Sequence, residues 1–409
     1  MREMIKGDGF LKLCELSTGD IAYRYEKCIV LFFNGKRKVL STSVFNGGYH
    51  EDYQAVFNND GKQGAGMPCE MLADTYDEHM RILARRIGLD PEKVTGMGTA
   101  ADMECVSVKS LSYKELTVSA IVTGGIETNG GRVGDPADYY APKEKPGRPG
   151  TINIILVIDC DMPAGTLARA LVTCTEAKTA AIQELMAGSN YSTGLATGSG
   201  TDQTVLVANA ESDLYLESSG KHSKMGELIG RVVKAAVTEA LGKQSNLTPK
   251  RQHDVFRRLK RFGTTENTLW QRYLEEHGEE GRLLKPVFLD RAEVLGKDDM
   301  MLSYTSLYIH LLDQHLWGLL KKEETLEAAR NILGLIGSTY LTATAEWEKV
   351  ADEEEAAAAD GGDGEGTLLP EDTTVEAMMR AWSDLFLAIL EQREDRPDIH
   401  VTKEDMALD

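Results

Sequence analysis

The apolar positions of the first half of the chain fall in short runs that alternate between strand-like and helix-like spacing. Residues 28–33 and 39–45 are two runs of strand-forming side chains around a charged, Gly-containing turn, a pattern that predicts a β-hairpin. Residues 69–88 carry apolar side chains at helical spacing and are expected to form an amphipathic helix. Strands are expected again near residues 104–110 and 115–123.

A Gly- and Pro-rich stretch at residues 124–150 interrupts this pattern and is too broken for regular structure. Long loops inside compact domains are often functional. The elements predicted beyond it are a buried strand at 152–158, a helix at 164–187, a Gly-rich turn at 194–200, a strand at 204–208 and a helix at 222–242. This alternation predicts an α/β or α+β layered catalytic domain over residues 1–245.

The pattern changes after Asn246. Residues 250–350 are rich in Leu, Arg, Glu and Lys at helical spacing, and one more helix is expected near 373–393. Residues 352–367 consist largely of Glu, Ala, Asp and Gly, which is typical of a low-complexity linker. Residues 246–409 are therefore interpreted as an all-α extension. Its apolar stripe around Leu312 is expected either to pack on the catalytic domain or to support a homo-oligomer.

Composition and charge narrow the classes of partner. The chain has 409 residues, of which 42% are apolar, and a formal net charge of -20. Such an acidic chain repels nucleic acid and anionic lipid, so neither is an expected partner. No apolar run is long enough to cross a bilayer and the N-terminus lacks a secretory signal, so a cytoplasmic location is expected. The six cysteines form no CxxC pair, which argues against a structural zinc site.

Polar residues next to glycine mark two candidate clusters in the first half of the domain. Asn46 precedes Gly47 and Gly48; its amide could donate to a developing oxyanion, and Asn-Gly is equally a strong turn signal. In the Gly-rich loop, Asn129, Arg132 and Asp135 could hold a polar or anionic group, although an Arg–Asp pair is also a common structural clamp.

Two further clusters lie around the helix predicted at 164–187. Thr151 and Asn153 begin the strand before it, and Glu176 and Lys178 interrupt its otherwise Ala-rich, apolar pattern. If those charges are buried, a carboxylate beside a lysine is suited to acid–base work; if not, they form a solvated face. The second cluster contains Thr197, Thr201 and Asp202, which are candidates for lining a substrate pocket. They lie in a Gly-rich turn that lacks the spacing of a phosphate-binding loop. His222 follows in the chain and is interpreted either as a capping residue or as a general base.

Taken together and in order, these blocks resemble the adenosylcobinamide amidohydrolase family. The blocks that carry the resemblance are Ser43 to Gly48, Gly98-Thr99-Ala100-Ala101, Gly150-Thr151-Ile152-Asn153, Thr175-Glu176-Ala177-Lys178, Ala196 to Asp202 and Gly220 to Leu228. The family usually has Thr where this chain has Ser199, and its loop carries an Asn, an Arg and a Gly-Asp pair that correspond here to Asn129, Arg132 and Gly134-Asp135. The resemblance ends near residue 245.

The resemblance implies hydrolysis of the amide that joins aminopropanol to the corrin ring of adenosylcobinamide, giving adenosylcobyric acid for corrinoid salvage. The substrate brings its own cobalt, so no metal ion or other cofactor of the protein is expected. By the same resemblance Thr99 joins the expected substrate-binding residues. Two other classes stay open: a corrinoid-binding protein without activity, and an amidase or acyltransferase for another small amide.

Two mechanisms follow for the amide cut. The segment from Gly150 to Asp202 is similar to the region around the processing Thr of ornithine acetyltransferases, which cleave their own chain and use that Thr as nucleophile. This similarity implies a related fold, Thr151 as nucleophile and Asn46 or Thr99 near the oxyanion. The rival is attack by water, with Glu176 or His222 as the base and Lys178 as electrostatic support.

Overall fold

The computed structural model of the chain describes residues 9–62, 69, 71–137, 140, 150–278, 283–341 and 373–392. These residues divide into two compact units, one within Met1–Gln252 and one within His253–Asp409. The sequence-based boundary after residue 245 coincides with the last residue of a long helix, Lys224–Ser245. The linker predicted at 352–367 and the polar tail after residue 393 lie outside the described residues.

The first unit contains two sheets and a short ribbon. Its strands are β1 (Leu11–Glu15), β2 (Ile21–Tyr25), β3 (Cys28–Phe32), β4 (Arg37–Ser41), β5 (Gly48–His50), β6 (Ala55–Asp60), β7 (Val94–Thr99), β8 (Ser107–Tyr113), β9 (Leu116–Gly125), β10 (Gly130–Gly131), β11 (Thr151–Ile158), β12 (Gly198–Ser199) and β13 (Gln203–Asn209). Three α-helices accompany them in the described residues: α1 (Tyr76–Arg86), α2 (Ala164–Glu184) and α3 (Lys224–Ser245).

The two sheets have different strand orders and each contains one parallel pair. The first runs β1-β2-β3-β6-β7, and only β6 and β7 are parallel. The second runs β5-β4-β13-β11-β9-β8, and only β11 and β13 are parallel, with Asn153 opposite Gln203. Strands β10 and β12 pair as a separate antiparallel ribbon.

The apolar side chains place these elements in four layers. Every residue of β11 is buried, and its side chains alternate between two cores because successive strand residues point to opposite faces. Ile154 and Leu156 pack with α2 and α3 on one face, whereas Ile155 and Val157 pack against the first sheet on the other. Helix α1 covers the far face of that sheet. The order helix, sheet, sheet, helices confirms the predicted layered α/β domain.

The hairpin predicted for residues 28–33 and 39–45 is wrong. Strand β3 pairs with β2 and β6, whereas β4 belongs to the other sheet and pairs with β5 and β13. The turn between them is fixed by a buried ion pair: the guanidinium of Arg37 donates to both carboxylate oxygens of Asp20, at 2.8 and 3.0 Å. The same guanidinium donates to the carbonyl of Asn34, so the chain leaves one sheet and enters the other at this point.

All regular secondary structure in the described residues of the second unit is helical, which confirms the predicted all-α extension. Its helices are α4 (Val255–Leu259), α5 (Glu266–His277), α6 (Lys285–Gly296), α7 (Asp299–Leu316), α8 (Lys322–Tyr340) and α9 (Thr373–Gln392). They share one core that includes Phe288, Tyr308 and Trp382. Within the described part of the chain, no helix is long and apolar enough to cross a membrane.

Candidate active site

A cavity of about 610 Å³ opens in the first unit where the long loop after β9 meets α2. One wall is the loop from Asn129 to Ala137, and a second is the turn from Thr197 to Thr201. The third is α2, whose Thr175, Lys178 and Thr179 face the cavity because residues three and four apart share one face of a helix. The ribbon of β10 and β12 joins the first two walls, so the cavity is framed by hydrogen-bonded backbone.

Asp202 organises the floor of this site. Its carboxylate accepts hydrogen bonds from the amide of Ser199 at 3.0 Å, the hydroxyl of Ser199 at 2.6 Å and the amide of Ile152 at 2.9 Å. It also pairs with the ammonium of Lys178, and both side chains are only 12% exposed. A carboxylate that joins α2, β11 and β12 in this way holds three separate segments in register.

The carbonyl of Gly150 receives two side-chain donors. The amide of Asn129 donates to it at 2.6 Å, and the hydroxyl of Thr201 donates to it at 2.9 Å. A Cβ at residue 150 would collide with the Asn129 side chain, which explains the glycine. Two donors that converge on one carbonyl oxygen have the geometry that stabilises an oxyanion in acyl transfer.

Thr151 follows this carbonyl directly. Its hydroxyl donates to the carbonyl of Thr201 at 2.6 Å and lies 2.9 Å from the Thr201 hydroxyl. Thr151 is 3% exposed, so in the intact chain it is covered, while its partner Thr201 and the neighbouring Asn129 line the cavity. The parallel pairing of β11 with β13 brings these threonines side by side, because each lies two residues before a paired position, Asn153 or Gln203.

Asp135 ties the cavity's outer loop to the rest of the site. Its carboxylate accepts from the Ser189 hydroxyl at 2.5 Å and from the Arg132 amide at 2.7 Å. Burial alone would raise the pKa of Asp135, but hydrogen bonds from Ser189, Ser192 and Arg132 outweigh it and lower that pKa below its ordinary value. The guanidinium of Arg132 donates to the carbonyl of Leu195 at 3.2 Å and lines the cavity.

The structure brings together eight of the residues that the sequence singles out. Around the cavity or one hydrogen bond from it lie Asn129, Arg132, Asp135, Thr151, Lys178, Thr197, Thr201 and Asp202.

Asn153 and Thr99 lie apart from this group, in the interior between the sheets. Asn153 donates to the Asn58 side chain at 2.8 Å and to the Gly98 carbonyl at 3.1 Å, and is 1% exposed. The Thr99 hydroxyl accepts from the Ala101 amide at 2.9 Å, as a local turn cap does. Asn153 therefore connects the two sheets, Thr99 holds a local turn, and neither residue is among those that line the cavity.

Three predicted residues are outside the cavity wall formed by the described residues. Asn46 uses its amide to donate to the carbonyls of Pro91 and Val94, so it fixes a turn instead of offering a donor to a substrate. Glu176 is exposed and paired with Lys221, which lowers the pKa of Glu176. His222 is exposed. The acid–base pairing proposed for Glu176 with Lys178 is thus replaced by Lys178 with Asp202.

Sequence reasoning gave no role to several contributors to the site, among them Thr175, Thr179, Ser189 and Tyr191. The two threonines were detectable, because Thr175 lies three residues before Lys178 and four residues before Thr179, the spacings that bring side chains together on a helix. Ser189 and Tyr191 are in a loop without periodicity, and no local signal marks them. Ser199 was noted in its Gly-rich block without a role, and here it donates twice to Asp202.

The first unit, with its layered fold and its amide- and hydroxyl-lined cavity, belongs to a family that comparisons with known proteins identify. The chain belongs to the adenosylcobinamide amidohydrolase family (CbiZ), whose model matches residues 13–249. This confirms the resemblance inferred from the sequence blocks and places the first unit among amidohydrolases. Over 237 residues the chain is 35% identical to the uncharacterized protein MJ1613 of Methanocaldococcus jannaschii, an alignment that covers 54% of this chain and 88% of that protein.

Proposed function

We propose that this chain hydrolyses the amide between aminopropanol and the corrin propionate of adenosylcobinamide, giving adenosylcobyric acid and the free amino alcohol for corrinoid salvage. The observation that carries the proposal is the pair of donors, from Asn129 and Thr201, on a carbonyl next to the Thr151 hydroxyl. Family membership supports the amide and the corrinoid. Cobalt enters with the substrate, and the protein's own residues perform the amide chemistry.

In the proposed mechanism Thr151 is the nucleophile. Its hydroxyl oxygen attacks the substrate carbonyl carbon while Asn129 and Thr201 donate to the developing oxyanion. The C–N bond of the substrate breaks, the amino alcohol leaves with a proton, and the corrin acid stays bound to Thr151 as an ester. Water then hydrolyses the ester and restores the hydroxyl. Asp202 positions this group, because it accepts from the amide of Ile152, the residue after Thr151.

In the intact chain the Gly150 carbonyl occupies the two donors, and Thr151 is covered. We therefore propose that the chain first cleaves itself between Gly150 and Thr151. The Thr151 hydroxyl attacks the Gly150 carbonyl carbon, the peptide C–N bond breaks as its nitrogen takes the hydroxyl proton, and water hydrolyses the resulting ester. The products are a Gly150 carboxylate and a free Thr151 amine, which can serve as the base for its own hydroxyl.

Thr151 is preferred over the water mechanism because of where the candidate bases lie. A general base must reach the proton that it removes within about 3.2 Å or through one water. Glu176 is on the surface with Lys221, and His222 is exposed. Lys178 remains the proposed electrostatic support, since it lines the cavity beside Asp202.

The decisive test is incubation of the full chain with adenosylcobinamide, followed by mass spectrometry for adenosylcobyric acid. We expect turnover by the wild type, none by Thr151→Ala, reduced turnover by Thr151→Ser and unchanged turnover by Thr117→Ala. Thr117 is a suitable control because it lies near the opposite end of the same β9–β11 strand pair, hydrogen-bonded to Ser112. If the wild type forms no adenosylcobyric acid, the proposed reaction is wrong.

The nucleophile and the self-cleavage are tested separately. Normal turnover by Thr151→Ala would eliminate Thr151 as nucleophile, and Glu176→Gln and His222→Gln would then test the water mechanism. Denaturing electrophoresis and intact mass measurement should detect fragments 1–150 and 151–409 in the wild type and only full-length chain in Thr151→Ala. An active preparation that stays full-length would refute self-cleavage while leaving the amidohydrolase proposal in place.

A further inference from the structure

Two large apolar side chains are exposed at the mouth of the candidate active site. Val133 is 83% exposed and Tyr191 is 40% exposed, and both line the cavity together with the exposed Pro136 and Ala137. Single exposed apolar residues are ordinary, but apolar residues grouped at the mouth of a pocket are typical of ligand contact.

Hydrogen bonds to the backbone hold in place the two loops that carry these side chains. The amide of Val133 donates to the Thr197 hydroxyl at 2.9 Å, and the amide of Tyr191 donates to the Ser189 hydroxyl at 3.0 Å. The Ser189 hydroxyl in turn donates to Asp135, two residues after Val133, so the two loops are joined. Loops fixed before a ligand arrives lose little conformational entropy on binding.

The ring of Tyr191 lies against the backbone of Gly131. A Cβ at that position would be 3.2 Å from the ring, so the glycine lets the ring approach the backbone closely. Tyr191 and Val133 therefore both present apolar surface on the wall of the cavity.

The size of the cavity decides what this surface contacts. A volume of about 610 Å³ is in the range that encloses one drug-sized ligand. A corrinoid is much larger, so only the amide-bearing arm can enter far enough to approach Thr151. The macrocycle must remain outside, against whatever surrounds the opening.

We propose that Val133 and Tyr191 form a platform on which the corrin ring of the substrate lies while its amide arm enters the cavity. This inference rests on the proposed function and deepens it, because it assigns the recognition of the ring to residues distinct from those that cut the amide. The ring carries many methyl groups at its periphery, which favour contact with an aromatic and a branched aliphatic side chain.

The test compares Tyr191→Ala and Val133→Ser with the control Tyr215→Ala. Tyr215 is a suitable control because it is 52% exposed in the same unit and is not part of the cavity wall. We expect each platform variant to raise the KM for adenosylcobinamide about tenfold with kcat nearly constant, as truncation of a central contact residue does. Tyr191→Phe should restore most of the affinity, since the contact uses the ring face.

Two further measurements separate the platform from the chemistry. The first is the ratio of kcat/KM for adenosylcobinamide to that for a ring-free amide, N-(2-hydroxypropyl)propanamide, which should fall in the platform variants. The second is direct binding of cobinamide, followed by its visible absorption, which needs no turnover. Equal KM values and equal cobinamide binding in Tyr191→Ala and Tyr215→Ala would overturn the platform.

Failure of the platform and failure of the proposed function give different results. If the wild type converts adenosylcobinamide but the platform variants bind it normally, the platform is wrong and the function stands. If the wild type binds cobinamide through Tyr191 and Val133 but forms no adenosylcobyric acid, the platform stands and the reaction is wrong. If the wild type does not bind cobinamide, both are wrong.

Discussion

The replacement Asp202→Asn tests whether one carboxylate organises the site. The asparagine side chain has only one oxygen that can accept hydrogen bonds, and its NH2 group takes the place of the other carboxylate oxygen. Depending on its orientation, this NH2 group faces either Lys178 and the Ser199 amide or the Ile152 amide and the Ser199 hydroxyl, all of which are donors. Loss of one partner from a buried ion pair costs about 3–5 kcal/mol. Because both side chains are 12% exposed, solvent reduces that cost, and we expect about 2–3 kcal/mol.

The assay is urea unfolding of Asp202→Asn, Lys178→Met and the double variant. All four tryptophans lie after residue 252, so tryptophan fluorescence follows the helical unit, and hydrogen exchange of strand peptides follows the catalytic unit. The double variant should cost less than the sum of the single variants, with a coupling energy of about 1–3 kcal/mol. Glu15→Gln, which breaks an exposed pair with Lys12, serves as control and should cost much less than Asp202→Asn, because solvent screens that pair.

Additive costs would refute the reasoning, because they would mean that Lys178 and Asp202 do not stabilise each other. A cost for Asp202→Asn as small as that of Glu15→Gln would refute it as well. In the expected case Asp202→Asn also lowers turnover, since the amide of Ile152 next to Thr151 loses a fixed acceptor.

Three further outcomes are expected. Arg37→Met should cost about 3–5 kcal/mol in urea unfolding, because it leaves a fully buried carboxylate without its partner; a cost below about 1 kcal/mol would contradict this. Burial lowers the pKa of His79 below 6.5, so the contribution of His79 to stability is full above pH 6.5 and is lost as the pH falls through the folded-state pKa. The urea midpoint of His79→Gln should therefore change less between pH 7.5 and pH 5 than the midpoint of the wild type does. Burial raises the pKa of Cys28 and of Cys174 to about 12, so iodoacetamide at pH 8 should label exposed Cys69 before either of them, as peptide mass spectrometry can measure.

Local pattern predicted the elements of the fold better than their pairing. The strand expected at 152–158 is Thr151–Ile158, and the helix expected at 164–187 is Ala164–Glu184, because unbroken apolar runs and helical spacing act over neighbouring residues. Pairing depends on contacts far apart in the chain. Nothing within residues 28–45 indicates that Arg37 will bind the carboxylate of Asp20, and that contact sends β4 into the second sheet.

In the candidate site, too, the positions of side chains along one element were predictable from the sequence, whereas contacts between distant elements were not. Residues two apart on a helix point about 200° away from each other, so Glu176 and Lys178 could not both face one cavity, and this followed from the sequence alone. That Lys178 would be the inward residue, with Asp202 as its partner, depended on the parallel pairing of β11 and β13. The side-chain amide of Asn46 could donate to an oxyanion, but it already donates to the carbonyls of Pro91 and Val94.

The strand order of the second sheet determines what a break before Thr151 would do to the molecule. Strands β13 and β11 come from after the break, and they lie between β4 and β9, which come from before it. The two fragments would share one hydrogen-bonded sheet, with strands of the second fragment between strands of the first, and could separate only if the sheet unfolds. A cleaved preparation should therefore elute as a single species under native conditions, and the gene could be divided at this point into two open reading frames whose products reassemble.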